Sequence, residues 1–328
     1  MKKFIFILFA AIAVLVIFSA CDPNGHEKNI ITIGVILFNQ SDDQGLDDAK
    51  NGIVSKNDGR TKLDFVYSNG NKSLQNGQID TFLAKNVDVL AISLVDASDS
   101  VNTSAIMTKA NNAEIPTVFF LTGPGSQTEF YEIAADQNEI AELQGEIIVD
   151  YWKKLTADLN GDGKMQYIMV HGTSSHPHAM IRKTRIIEFI NESGINTQCL
   201  KDFEAPWILN DPVKTEVKEY LETLEGQTVE MIICGNDNIA LGMIEVLGEI
   251  GFFPDIPIVG IDGLTEAVLA VNYGKMLGTV CQDCTKIGEA TFDICYALGI
   301  GNKIPEAGIG WTKDKNHILV PSIKIIKN

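Results

Sequence analysis

Three features of this 328-residue chain predict an α/β fold of two successive doubly wound parallel sheets. Short apolar runs of strand length alternate with longer segments of helical spacing from Ile31 onward. The alternation pauses at a polar, glycine-containing stretch, Asp158–Gln166, and then restarts. Side chains rich in hydrogen-bonding groups recur just past the carboxyl ends of the apolar runs. Strands alternating with helices imply parallel βαβ units, and in such sheets ligand groups sit on loops beyond the strand carboxyl ends.

The chain begins with Lys2 and Lys3, an apolar run from Phe4 to Phe18, and Ser19-Ala20-Cys21. A basic start, a short apolar stretch and small residues ending on cysteine form the pattern of a bacterial lipoprotein signal. Residues 1–20 would be removed and Cys21 would become the lipidated N-terminus. An uncleaved anchor is the competing reading, but the run falls short of the about 20 residues a transmembrane helix needs, and it leaves the Ser-Ala-Cys ending without a role. Either way the folded part is expected outside the cytoplasm, with residues 21–29 as a polar tether. Loss of Lys2 and Lys3 moves the formal charge from −17 to −19. No basic cluster offsets this, so a nucleic-acid partner is not expected. Cys199, Cys234, Cys281, Cys284 and Cys295 are too few for a disulfide scaffold and odd in number. Cys281 and Cys284 have the spacing of a redox or zinc pair, but there is no second pair and no His nearby, so they read as ordinary small buried residues.

Taken in order, Ile31–Phe38 reads as a strand, Leu46–Val54 as a helix, Leu63–Tyr67 as a strand and Leu74–Leu83 as a helix. Strand Val87–Leu94, helix Val101–Asn111 and strands Thr117–Phe120 and Tyr131–Ala134 follow, then a long helix Ile140–Leu155. The second unit reads as strands Tyr167–Val170, Thr197–Leu200, Met231–Cys234 and Ile258–Ile261, with helices Ala179–Ile190, Val213–Leu224, Ile239–Ile250 and Thr265–Asn272. Lys286–Leu298 is helical again, and Asn316–Ile326 looks like terminal strands.

Between the units, Asp158, Asn160 and Asp162 occupy the first, third and fifth positions of a calcium loop, and Gly163 supplies the sharp turn at the sixth. The Lys164 carbonyl would be the seventh ligand and the Gln166 side chain the ninth. A helix-loop-helix site closes with Glu at the twelfth position, which here is Met169. The last carboxylate must come from elsewhere in the chain.

The loops past the strands carry Asp42-Asp43, then His176, His178 and Arg182, then Asn236-Asp237, and Asp262, with Trp207 in a loop near Leu200. Any one of these acids and amides could simply cap a helix. Together they suit a polyhydroxylated ligand, because carboxylates and amides pair with adjacent hydroxyls while an aromatic face packs on the C–H face of a pyranose.

Gly34-Val35, Ala91-Ile92-Ser93-Leu94-Val95-Asp96, the Asp158–Gln166 loop, His176-Pro177, Asn236-Asp237 and Gly260-Ile261-Asp262 together resemble the galactose/glucose-binding proteins of bacterial ABC sugar uptake. The resemblance runs from about Ile30 to the C-terminus. It implies the type I periplasmic binding protein fold, with two α/β lobes joined by three hinge strands that close around a sugar. The lobes would comprise residues 30–134 with 283–319, and 135–282 with 320–328. It also implies delivery to a membrane permease, contact with a chemoreceptor for some members, and no enzymatic turnover. The last calcium ligand is implied to be Glu230, immediately before Met231, with the ion structural. Asp43, His176, Arg182, Trp207, Asn236 and Asp262 match the sugar ligands. Ser93 stands where Asn is usual, His178 where Asp is usual and Gln282 where Asn is usual. The aromatic expected after Asp43 is replaced by Gly45 or Leu46.

The leading expectation is therefore a lipid-anchored solute-binding protein for a glucose- or galactose-like monosaccharide. A sensory protein that docks on a membrane receptor with a non-hexose ligand is the alternative. A calcium-dependent glycoside hydrolase would need two carboxylates across a scissile bond; Asp43 and Asp262 could be placed so, but the resemblance implies that they bind hydroxyls. A related repressor would need a helix-turn-helix where residues 1–29 hold a signal and tether.

Overall fold

The computed structural model describes residues 30–39, 43–125, 129–154, 157–224, 228–251 and 256–327. The leader, the tether with Cys21, and Asp42 lie outside them. The first apolar runs fold as β1 (Ile31–Leu37), α1 (Gln44–Ser55), β2 (Thr61–Tyr67), α2 (Lys72–Ala84), β3 (Val89–Ile92), α3 (Ser100–Ala113), β4 (Thr117–Phe120) and β5 (Tyr131–Ala135). After α4 (Gln137–Trp152) come β6 (Lys164–His171), α5 (Pro177–Glu192), β7 (Asn196–Glu204), α6 (Asp211–Glu222), β8 (Met231–Cys234), α7 (Asp237–Ile250), β9 (Ile258–Asp262), α8 (Thr265–Asn272) and β10 (Gly278–Gln282). The chain ends with α9 (Cys284–Gly299), β11 (Ala307–Gly308), β12 (Trp311–Asp314), β13 (His317–Val320) and β14 (Ser322–Ile326).

Two sheets result, ordered β11-β12-β13-β5-β4-β3-β1-β2 and β14-β10-β9-β8-β6-β7. Pairing is parallel except at β11–β12, β12–β13 and β10–β14. Both faces of each sheet are apolar because helices cover both. On the first sheet, Leu46 and Ile53 of α1 and Ile287 and Phe292 of α9 fill one side, and Ile79 and Phe82 of α2 with Ile106 of α3 fill the other. On the second sheet, Ile140 of α4 and Ile186 of α5 oppose Val217, Ile239 and Val271 of α6, α7 and α8. Helices α1 and α9 meet backbone to backbone, since a Cβ on Gly288 would fall 1.9 Å from the Ala49 oxygen and one on Gly52 2.1 Å from the Thr285 oxygen.

The chain passes between the sheets three times: from β5 into α4, from β10 into α9, and from β13 into β14. Pro321 separates the last pair and lacks an N–H, and the Ser322 N–H donates to Glu139 Oε2 of α4 at 2.9 Å. Ala135 and Val320 are still paired with each other in the first sheet.

Several strands differ from the pattern. Val87–Leu94 shortens to Val89–Ile92, the part that pairs with β1, of which Leu90–Ile92 also pairs with β4. The long helix stops at Trp152 instead of Leu155. β10 is a strand that the sequence hid, since Gly-Thr-Val-Cys-Gln has neither an apolar run nor clean alternation. It is held extended by β9 on one side and β14 on the other. β11 and β12 were hidden for the same reason.

Candidate functional site

The strand order of each sheet reverses beside its first strand, between β2 and β3 around β1 and between β7 and β8 around β6. Loops leaving opposite sides of such a switch point leave a crevice. The two crevices share one cavity of about 810 Å³, lined from the first sheet by Phe38, Asp43 and Leu121 among others and from the second by His176, His178, Arg182, Trp207, Asn236, Asp262 and Gln282. That volume suits a small ligand. Of the residues expected to bind sugar, the structure brings all but Ser93 to this wall. Ser93 is fully buried behind it, with its Oγ without a hydrogen-bond partner.

Capping and lining prove to be the same residues. Asp43 Oδ1 accepts the Leu46 N–H at 3.0 Å and Asn236 Oδ1 accepts the Ile239 N–H at 2.9 Å, so each N-caps its helix while facing the cavity. The Asn236 amide also donates to the Trp207 carbonyl at 2.9 Å, which ties the Trp loop to α7. Trp207 (φ 61°), Asp262 (φ 122°) and Leu121 (φ 59°) line the cavity with backbones in the left-handed half of φ space, which is uncommon without glycine and is held at sites where the surroundings over-determine the conformation. Room for the indole comes from Gly172, where a Cβ would lie 2.8 Å from Trp207 Cη2.

Among the described residues lining the cavity, Arg182 is the one buried Lys or Arg. Its Nε donates to Gln137 Oε1 at 2.7 Å and its Nη1 to the Gly235 carbonyl at 3.2 Å, which fixes the fork. Burial lowers its pKa, and Asp262 and Asp237 oppose that. Burial pushes Asp262 up to about 6; Arg182 and a 2.7 Å bond from Gln282 act against this, and Asp43 from the first sheet adds to it. Asp237 does not line the cavity. Burial, then Asp262, pushes it up to about 8, while it accepts from Thr279 Oγ1 at 2.7 Å and from the Leu264 N–H at 2.8 Å. Those bonds shape the turn that carries Asp262.

Sequence reasoning missed several lining residues. Phe38 places an aromatic ring on the first-sheet wall, where none was expected near Gly45. Gln44 Oε1 accepts from both the N–H and the hydroxyl of Thr265, each at 3.1 Å. Helix α8 has no side-chain cap of its own, so its first turn is capped from the other sheet. Cys281 and Cys284 are free and partly exposed to the cavity, a correction to their reading as buried filler. Cys281 lies in β10 and Cys284 opens α9.

The profile of a periplasmic binding protein domain matches residues 33–303. The chain belongs to the periplasmic binding protein family. It is 33% identical over 276 residues to the D-galactose/methyl-galactoside binding periplasmic protein MglB of Haemophilus influenzae, covering 82% of this chain and 81% of that protein. It is 24% identical over 244 residues to the D-xylose-binding periplasmic protein of the same organism, covering 73% and 69%. Among solved structures, a periplasmic solute-binding protein of an ABC transporter from Actinobacillus succinogenes with bound D-allose superposes with TM-score 0.73 at 16% identity, covering 90% of this chain and 98% of that one. At that identity the likeness shows the fold. No helix among the described residues is long and apolar enough to cross a membrane.

The Asp158–Gln166 loop lies apart from the cavity, ahead of β6 and continuing into it. Asp158 accepts the Gly161 and Gly163 N–H groups at 2.7 and 2.9 Å, Asn160 that of Asp162 at 2.9 Å, and Asp162 that of Lys164 at 2.8 Å. Glu230, 1% exposed, accepts the Leu159 N–H at 2.6 Å and the Gln166 N–H at 3.0 Å, spanning both ends of the loop. Among the described residues no three His, Cys, Asp or Glu side chains converge as a metal cluster, since here the carboxylates face backbone amides. Gln166 Oε1 is buried without a partner. An oxygen donor left unpaired inside an oxygen-rich loop fits a hard cation.

Proposed function

We propose that this protein is an extracytoplasmic binding protein, lipid-anchored through Cys21, that captures a glucose- or galactose-like monosaccharide without chemistry and delivers it to an ABC permease. The observation that carries the reading is the convergence of Asp43, Arg182, Trp207, Asn236 and Asp262, from both sheets, on one cavity of about 810 Å³. Three chain crossings between the sheets allow one lobe to swing on the other, and a ligand bonded to both favours the closed form by its differential affinity for it. The 33% identity to a galactoside-binding protein supports a hexose. Gln282, a longer amide where Asn is usual, and His178, where Asp is usual, point to a hydroxyl pattern of its own. Isothermal titration of calcium-loaded protein with a panel of hexoses and pentoses is expected to give saturable heat with a hexose. Flat titrations across the panel would overturn the sugar assignment.

Calcium is proposed as a structural ion held by Asp158, Asn160, Asp162, the Lys164 carbonyl, Gln166 and Glu230. When bound it supplies positive charge that ties the loop to the start of β8, stabilising the native state by mass action. Chelation is expected to lower Tm while sugar binding persists at moderate temperature. Glu230→Gln should weaken calcium binding at least about tenfold, since it removes one charge from the ligand set. Unchanged calcium affinity and Tm in that variant would show the ligand set to be wrong.

A further inference from the structure

Glu132 is a buried carboxylic side chain, on β5 of the first sheet and 2% exposed. A buried charge there requires partners. Its Oε2 accepts the Gly125 N–H at 2.9 Å. Its Oε1 lies 3.5 Å from Nε2 of His178, which belongs to α5 of the second sheet and lines the cavity. The loop above leaves room for this carboxylate, because a Cβ on Gly123 would fall 2.5 Å from Glu132 Cδ. His178 meets His176 edge to face at 5.3 Å, and His176 meets Trp207 at 4.9 Å. A row of three rings thus runs along the second-sheet wall and ends on a first-sheet carboxylate. His176 is held neutral, its pKa lowered to about 3 by burial and then by His178 and Arg182.

We propose that Glu132 is a positioning residue that holds the His178 proton on Nε2, leaves Nδ1 as an acceptor for a ligand hydroxyl, and so determines which sugar the cavity prefers. The inference rests on the reading that the cavity binds a monosaccharide. An ionised carboxylate only accepts hydrogen bonds, whereas a neutral imidazole offers one donor and one acceptor. The nitrogen facing the carboxylate therefore carries the proton, and the other does not. A carboxylate at position 178 could accept from two sugar hydroxyls. An imidazole fixed in this tautomer accepts from one and rejects a ligand group that presents another acceptor. Because Glu132 and His178 come from different sheets, the tautomer is set where the two lobes meet.

The test is long-range proton–nitrogen NMR of 15N-labelled protein at a pH where imidazole is neutral, together with titration of the sugar panel. His178 is expected in the Nε2–H form without any sugar present; an Nδ1–H form would overturn the proposal without recourse to a variant. In Glu132→Gln the amide carbonyl keeps the Gly125 N–H and the amide N–H turns toward His178, so the proton should move to Nδ1. The preferred sugar should then bind about tenfold more weakly and the order of the panel should change. In His178→Asn, adding Glu132→Gln should leave the order unchanged, and independent, additive effects would overturn the coupling. If no sugar binds at all, the cavity reading fails, while the tautomer of the ligand-free protein still decides the Glu132–His178 assignment.

Discussion

Arg182→Met is expected to weaken monosaccharide binding at least about a hundredfold and to lower Tm as well. The guanidinium donates to Gln137 Oε1 and the Gly235 carbonyl and opposes the charge of Asp262 and Asp237. Methionine fills similar space but leaves two acceptors without their donor and the buried Asp262 carboxylate without its cation. Removing one partner of a buried charged set typically costs about 3–5 kcal/mol, and a hundredfold in affinity needs only about 2.7 kcal/mol. Arg182→Lys should fall between, since an ammonium keeps the charge and loses the fork. Titration calorimetry and thermal melting of the three proteins read this directly. Wild-type affinity in Arg182→Met would remove the residue from the binding site.

The second large effect is a pH dependence of stability centred on Asp237. Its folded pKa of about 8, and that of Asp262 at about 6, stand above the unfolded value of 3.8. Between those values the native state binds more protons than the unfolded state, so stability falls as pH rises. The contribution is fully present below pH 4, declines through the interval, and is gone above about pH 8. Asp237→Asn mimics the neutral acid, with its carbonyl accepting the Leu264 N–H and the Thr279 hydroxyl turning to accept from its amide. The variant should match wild type near pH 4.5 and exceed it at pH 9, by at most about 5 kcal/mol at about 1.4 kcal/mol per pKa unit. A Tm difference that does not vary with pH would sink this account.

Much of the fold was legible because helices and buried parallel strands differ in length and period. Met231–Cys234, Thr117–Phe120 and Thr265–Asn272 form the elements their apolar spacing predicts. β10 was not legible, since its extended state is imposed by β9 and β14 and not by its own residues. Among site residues, Asp43 and Asn236 announced themselves as strand-end polar groups, but their spacing alone could not separate a cap from a ligand group. The structure shows each of them capping its helix and lining the cavity. Gln44, Phe38 and Glu132 carry no local signal, because what distinguishes them is a neighbour far away in sequence.

By itself the sequence determined two α/β units, the calcium-like loop before β6, and the polar residues placed at strand ends, all of which depend on period and on short-range turn chemistry. Only the tertiary structure decided which of those residues share a cavity, that Ser93 stays behind it, that Gln44 caps a helix of the other lobe, and that Glu132 faces His178. The physical reason is that periodicity is a property of neighbours along the chain. A buried charge is settled by whichever partner packing brings within about 4 Å, and packing here joins residues that belong to different sheets.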